Sequence, residues 1–428
     1  MIDRLHARAL EPTSAASLVA YRWAFGLLMT LGAIRFAAEG WIDQLYVAPQ
    51  LTLGYPGLEW IVPLPGAGMY ALFAALAVLG LAIAAGVRVR ASALLFALGF
   101  TYVELLDQTC YLNHYYLVTI LALLLAALPV ERGTAVIPRW WLWVLRAQVG
   151  LVYVFAGLAK LGPDWLLDAQ PMSIWLSTME LPIVGDLVAH PAVAYAASWA
   201  GMLFDLAIVP LLLVRRTRAL AFVAVVAFHV ATWLMFPIGL FPWIMIANAT
   251  LLCAPDWPRR WWRRVDTGAL LAPAANPATP RWLVHLLALH LVVQLLVPLR
   301  HVLYPGDVLW TGEGLRWSWK VMIVEKAGIA RFEVVDPATG RRWLEYPRTY
   351  LTPRQEKMLA VEPELIRQFA HHLAARYRAR GVSSVQVFAD VEVAFNGRRR
   401  QRLVDPHHDL AAEPFAWGAY PWILTPSR

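Results

Sequence analysis

Long apolar runs separated by short polar connections fill roughly the first 300 residues of the chain. Runs of this kind predict membrane-spanning helices, because about 20 apolar residues in helical form cross the hydrocarbon core of a bilayer. Nine are expected, at roughly 17–37, 67–86, 91–108, 114–130, 140–161, 192–214, 219–236, 240–254 and 282–299, several of them short for a perpendicular span. From Leu299 onward charged residues become frequent, and the pattern is that of a compact α+β unit. Residues 328–346 predict two strands joined by Asp336-Pro337-Ala338-Thr339-Gly340, since Asp, Pro and Gly supply the dihedrals of a tight turn. Residues 352–381 predict helix, interrupted near Pro363 and closed by Gly381. Residues 382–406 predict a second hairpin around Asn396-Gly397. The expected fold is a membrane α-helical bundle of about nine transmembrane helices, residues 1–299, carrying a C-terminal extracytoplasmic α+β domain rich in β-hairpins, residues 300–428. Residues 265–280 are the clearest linker, and no internal repeat stands out.

The connections alternate in charge. One set carries Arg4 and Arg8, Arg88 and Arg90, Arg132 and Arg139, Arg215, Arg216 and Arg218, then Arg259, Arg260, Arg263, Arg264 and Arg281. The other set, 38–66, 109–113, 162–191 and 237–239, has no Lys or Arg. Basic connections stay in the cytoplasm, so an integral inner-membrane protein is expected, with its N-terminus cytoplasmic and everything after residue 300 on the outer face. The polar N-terminal stretch and a first run long enough to span argue against a cleavable signal peptide.

Composition supports the membrane reading: 59% of the 428 residues are hydrophobic, 15% are charged and mean hydropathy is +0.53. The net charge of +8 raises nucleic acid as a partner, but the arginines sit in short clusters between apolar runs, so none is expected. Cys110 and Cys253 fall at opposite membrane faces, too far apart for a disulfide. No metal is predicted, because His371-His372 and His407-His408 are adjacent pairs rather than residues spaced to face one ion.

Chemistry is suggested by Lys160, the only lysine in the first 319 residues, at the outer end of an apolar run. A helix-end lysine commonly snorkels to the headgroups. Here the chain otherwise uses arginine, and the lysine breaks the charge bias of its side. Arginine keeps its proton near neutral pH, whereas a lysine amine in a dry pocket is able to give it up and act as a base. A second cluster, residues 105–117, places Asp107, Tyr111, Asn113 and His114 where the third run ends and the fourth begins. An imidazole and a carboxamide there suit the oxygens of an aromatic substrate whose ring the tyrosines pack; an interfacial aromatic belt with a capped helix start fits the same residues. His229, within a span, is a third candidate, and a bond to a neighbouring helix explains it equally well.

Residues 105–117, then 145–165 with its Gly157-Leu158-Ala159-Lys160, then 228–260 resemble successive blocks of the vitamin K-dependent γ-carboxylase (HTTM) family. Residues 313–326 and the second hairpin through His407-His408 resemble that family's extracytoplasmic part in the same order, so nearly the whole chain is covered. The likeness is to the short prokaryotic members, and the Ala/Arg-rich, lysine-poor composition fits a GC-rich bacterium. The resemblance implies oxygen-dependent epoxidation of a reduced vitamin K, a naphthohydroquinone, coupled to carboxylation of glutamate. In the animal enzymes the oxygenated quinol provides a strong base that removes a γ-hydrogen, and the carbanion captures CO2. It implies Lys160 as catalytic base and Asn113 and His114 as the quinol-contacting pair, with Asp107, Tyr111, Tyr153, His229 and Trp233 as further quinol-pocket candidates. It implies substrate contacts at Trp317, Ser318, Trp319 and Lys326. The co-substrates would be reduced vitamin K or menaquinol, O2 and CO2; the partners would be the lipid bilayer and a glutamate-containing peptide or small acidic substrate.

This chain departs from the animal pattern in a shorter outer domain, in having no counterpart of the animal disulfide, and at two sequence positions. Ala159 replaces a neighbouring lysine, and Thr178-Met179 stands where basic residues are expected, which bears on glutamate recognition. A quinol epoxidase without carboxylation, and a membrane scaffold or lipid-binding protein that is not an enzyme, are the alternatives.

Overall fold

The computed structural model describes residues 7–179, 185–261 and 280–426. The expected linker at 265–280 lies outside them except for Pro280, as do Arg4, Arg263 and Arg264. All nine apolar runs are helical: α1 (Ala16–Ala38), α2 (Gly66–Ala85), α3 (Val89–Leu105), α4 (Asn113–Ala127), α5 (Arg139–Ala159), α6 (Pro191–Leu213), α7 (Arg218–Met235), α8 (Phe241–Thr250) and α9 (Arg281–Leu296), the last continued by a 3-10 turn to Leu303. Among the described residues six are long and apolar enough to cross a membrane: α1, α2, α5, α6, α7 and α9 with its continuation. The other three are shorter than expected because turn chemistry cuts them. The Asp107 turn follows α3, Pro129 follows α4, and α8 ends at Thr250 in a turn that runs up to Pro255.

Small residues set the helix spacing. A Cβ on Gly26 of α1 would lie 2.4 Å from Gly80 O and Ala84 N of α2, so only glycine lets these backbones meet. Thr30 Oγ1 spans the same contact, donating to Gly26 O and Ala77 O. Before the bundle's fifth helix, β1 (Pro12–Ser14) pairs antiparallel with β2 (Val136–Pro138), which ties the N-terminal segment down.

The C-terminal domain is a four-stranded antiparallel sheet in the order β4-β3-β5-β6, with β3 Lys326–Asp336, β4 Arg341–Glu345, β5 Gln386–Phe395 and β6 Gln401–Arg402. Both expected hairpins are present. Asp336 caps the first turn by accepting from Ala338 N and Thr339 Oγ1, and Gly340 takes the required positive φ of 72°. Asn396 and Gly397 turn the second with φ of 43° and 79°. The helix breaks at Pro363 as expected, into α10 (Pro353–Leu359) and α11 (Pro363–Ala379). The apolar face of α11 covers the sheet, with Phe369 edge-on to Phe332 at 4.8 Å and both rings fully buried.

This domain docks on one end of the bundle. It meets the connections 39–65, 106–112 and 162–177 through Gln355 Nε2 to Leu51 O, Arg354 Nε to Thr109 O, Trp175 Nε1 to Glu325 Oε2 and a bidentate Arg398–Asp164 pair. These are connections free of Lys and Arg.

Candidate functional site

A cavity of about 640 Å3 lies where the bundle meets the C-terminal domain. Its wall is aromatic and aliphatic, from Phe36, Phe73, Phe96, Phe100 and Tyr115, with Asn113 and His114 at the start of α4. Val321, Met322 and Arg354 close it from the C-terminal domain, and the Pro237–Phe241 bend closes it from the far side. The loop carrying Val321 and Met322 is held in an uncommon backbone shape, with Trp317, Trp319 and Met322 all at φ between 51° and 58°. Volume and lining are those of a small-ligand site: mostly apolar, with few polar groups that fix orientation.

The N-terminus of α4 presents the two predicted quinol contacts differently. Asn113 is fixed, its Oδ1 accepting from the Tyr111 hydroxyl at 2.8 Å and its Nδ2 donating to Lys320 O at 3.3 Å. The His114 ring packs 4.7 Å from Tyr115 and 5.4 Å from Phe241, and its nitrogens have no hydrogen-bond partner among the described residues. A group so placed is able to donate to, or accept from, an oxygen that enters the cavity. Two guanidiniums, Arg35 and Arg354, also line the space, and no carboxylate does. Both lie within electrostatic reach of the Tyr115 hydroxyl.

Lys160 does not line this cavity. It ends α5, and Gly162-Pro163 stops the helix immediately after it. Its residue surface is 6% exposed, and Nζ donates to Asp205 Oδ2 of α6 at 2.8 Å and to Ala156 O at 3.2 Å. The Trp165 ring lies 5.3 Å from the amine and is itself anchored by Nε1 to Ser198 O. Two turns inward on the same face of α5, Tyr153 bonds His229 Nε2 at 3.0 Å. The His229 ring meets Phe241 edge-on at 6.1 Å, and Phe241 lines the cavity beside His114. His229 Nδ1 is buried with no partner among the described residues. Thus His114, Phe241, His229 and Tyr153 form one run of contacts that starts at the cavity, and the Lys160–Asp205 pair lies two helical turns along α5 from its far end.

Other sequence candidates are placed elsewhere. Asp107 is 1% exposed and saturated, accepting from Thr109 N and Oγ1, Leu53 N and Gln355 Nε2; it caps a turn and pins the outer domain, and does not face the cavity. Tyr111 is committed to Asn113 and to Trp317 N. Trp233 is 46% exposed and packs on Trp243, so it faces outward from the bundle. Trp317 and Trp319 anchor the domain by packing on Tyr55, Tyr111 and Tyr116, and Ser318 bonds Leu315 O; none of the three lines the cavity, while their neighbours Val321 and Met322 do. Lys326 donates to Trp310 O at 2.6 Å inside the C-terminal domain, where burial pushes its amine down to about 8, opposed by Glu362 and Asp307; it is not on the cavity. Asp205 was missed, although it is the one acid in the run 192–214 and an intramembrane carboxylate is a signal in itself. Arg354 gave no signal, since only the docking of the domain brings it to the cavity. Among the described residues no group of three or more His, Cys, Asp or Glu is arranged to hold a metal ion, and Cys110 and Cys253 are both free.

A family model for the HTTM domain matches residues 10–257, more than half of the chain. The chain belongs to the HTTM family. A second model, for the lumenal domain of vitamin K-dependent gamma-carboxylase, matches residues 279–428 of this HTTM protein. Together the two make it a vitamin K-dependent carboxylase-like protein with membrane helices and a lumenal-type domain, as the blocks around Asn113 and Lys160 suggested. No solved structure matches the chain.

Proposed function

We propose that this protein is a membrane enzyme that couples O2-dependent epoxidation of a reduced vitamin K-type naphthohydroquinone to carboxylation of a glutamate-type substrate. The carrying observation is the aromatic cavity between bundle and C-terminal domain, with Asn113 and the unpartnered His114 in its wall. These residues fit a two-ring quinol: flat apolar walls for the rings, two polar side chains for the ring oxygens. When bound, the quinol would supply the reducing electrons and, with oxygen, the strong base that the family's chemistry needs. The chain's own part is to orient the quinol through Asn113 and His114, exclude water with the surrounding aromatic rings, and take up a proton at Lys160 Nζ. On this reading Phe241 is the partition between the cavity and the His229–Tyr153 pair, which lies two turns along α5 from Lys160. Arg354, and Arg35 whose Nε also lies 3.8 Å from Glu39 Oε1, put positive charge in a lining that holds no carboxylate and favour an acidic second substrate at the same site.

Nine passages with the N-terminus cytoplasmic would put the C-terminal domain outside the inner membrane, on the face of the Lys- and Arg-free connections on which it sits. The enclosure of Lys326 favours a second reading, quinol epoxidation without carboxylation, because one expected carboxylate contact is spent on Trp310 O. Membranes containing the protein, given reduced vitamin K and labelled bicarbonate, separate these readings by mass spectrometry. Epoxide and fixed label from wild type, with neither from Lys160→Ala, support the proposal. Epoxide without label supports the second reading, and no epoxide overturns both.

A further inference from the structure

We propose that Asp205 is a positioning residue for Lys160, holding its amine as an ammonium in the ligand-free protein and fixing where Nζ points. The inference rests on the reading of Lys160 as the proton-accepting group.

Three observations carry it. The Nζ–Oδ2 distance is 2.8 Å and both side chains are 8% exposed, so the contact is a dry ion pair rather than a surface one. Truncating one partner of such a pair leaves an uncompensated buried charge, so each controls the other's ionisation. The approach is built into the backbones: a Cβ on Gly157 of α5 would lie 2.6 Å from Leu206 Cδ2 and 3.1 Å from Leu206 N, so glycine is what lets α6 come close enough to present Asp205. Finally, two other titratable groups on the same stretch of chain are engaged elsewhere. Tyr153 is bonded to His229, and Asp164, four residues beyond Lys160, is committed to Arg398 and Asn396. Among the described residues Asp205 is therefore the one carboxylate bonded to the amine.

The consequence for chemistry is specific. The resting ammonium first gives one proton to bulk water; neutral Nζ then keeps an N–H donated to the ionised Asp205 and directs its lone pair away from that carboxylate. When Nζ accepts a proton, the new ammonium is balanced by a charge already in place, and no proton passes to Asp205. An aspartate so used stabilises the charge that forms without touching the substrate.

The test exploits the isolation of Lys160, since any acylated lysine in peptides from residues 1–319 is this one. The full-length protein in lipid nanodiscs is pulsed with acetic anhydride at several pH values, and Lys160 acetylation is quantified by mass spectrometry. Asp205→Asn is expected to label at least tenfold faster than wild type at pH 7, because the amine loses the carboxylate that keeps it protonated. That difference should narrow as the pH approaches 11, while Asp205→Glu labels as wild type does. A merely loosened pocket would raise labelling by the same factor at every pH. Equal labelling at pH 7 in a variant of unchanged melting temperature, or a pH-independent increase, overturns the proposal. Epoxide formation is measured on the same samples. An Asp205→Asn protein should show its pH–rate profile moved at least one unit toward acid, with kcat changed more than KM. If labelling behaves as expected but wild type forms no epoxide, the role of Asp205 stands and the proposed reaction falls.

Discussion

The Arg398–Asp164 pair fastens the C-terminal domain to the bundle four residues past Lys160, and Arg398→Ala should loosen that junction measurably. Arg398 Nη1 and Nη2 lie 2.8 and 2.6 Å from Asp164 Oδ2 and Oδ1, and Asn396 Nδ2 adds a third contact at 2.8 Å. The attraction of two unit charges at this range is on the order of 6 kcal/mol at an effective dielectric of about 20. Solvent discounts it, since the side chains are 34% and 16% exposed. Exposed pairs contribute about 0–1 kcal/mol, and breaking a buried one costs about 3–5 kcal/mol. This intermediate pair, with Asn396 still bonded after the substitution, should contribute about 1–3 kcal/mol. Hydrogen exchange in nanodiscs reads the effect: amides of residues 161–170 should lose roughly 5- to 150-fold in protection. The double-mutant cycle with Asp164→Ala should return a coupling of about 1–2 kcal/mol. Arg398 holds the Asp164 carboxyl below its ordinary value, the guanidinium bonds being the largest cause. A carboxylate with a depressed folded value contributes fully above the ordinary range and loses its contribution as the pH falls through the folded one. The wild-type protection should therefore be flat from pH 5 to 8. Protection within twofold of wild type in Arg398→Ala, or a coupling below about 0.3 kcal/mol, would refute the reasoning.

Two further outcomes are expected. Lys326 holds its proton less tightly folded, near 8, than at its ordinary 10.5, so the unfolded chain binds more protons between those values and this residue's contribution rises with pH across that window. Lys326→Met should melt above wild type at pH 7 and lose that advantage by pH 10.5; a gap that stays constant with pH would count against the assignment. Gly157→Ala drives a methyl into Leu206 and should cost about 1–3 kcal/mol, read as a lowered melting temperature together with faster Lys160 acetylation; a fully stable variant with wild-type labelling would show that α5 and α6 tolerate a wider spacing.

The apolar runs, both hairpin turns and the break at Pro363 were legible in the chain because each depends on local chemistry: hydrophobic length, the dihedrals of Asp, Asn and Gly, and the missing N–H of proline. The same local signals drew attention to Lys160 and to the Asn113-His114 pair. Which residues share a space is a different kind of fact. Asp107 and Lys326 carry the side chains a binding site would use, yet docking of the C-terminal domain and folding of its core enclose them. Arg354 comes from a soluble-looking helix far along the chain and reaches the cavity through that docking alone. Trp233 and His229 lie one turn apart on the same side of α7, and their environments diverge because what packs on that side changes along it: Tyr153 and Phe241 enclose His229, while Trp233 meets Trp243 and stays 46% exposed. Lys160 and Asp205 are separated by 45 positions, and they pair because a missing Cβ at Gly157 lets two helices close. Periodicity and turn chemistry act over a few residues, so they determine the elements; charge pairing, enclosure and cavity walls arise between elements, and only the packed chain decides them.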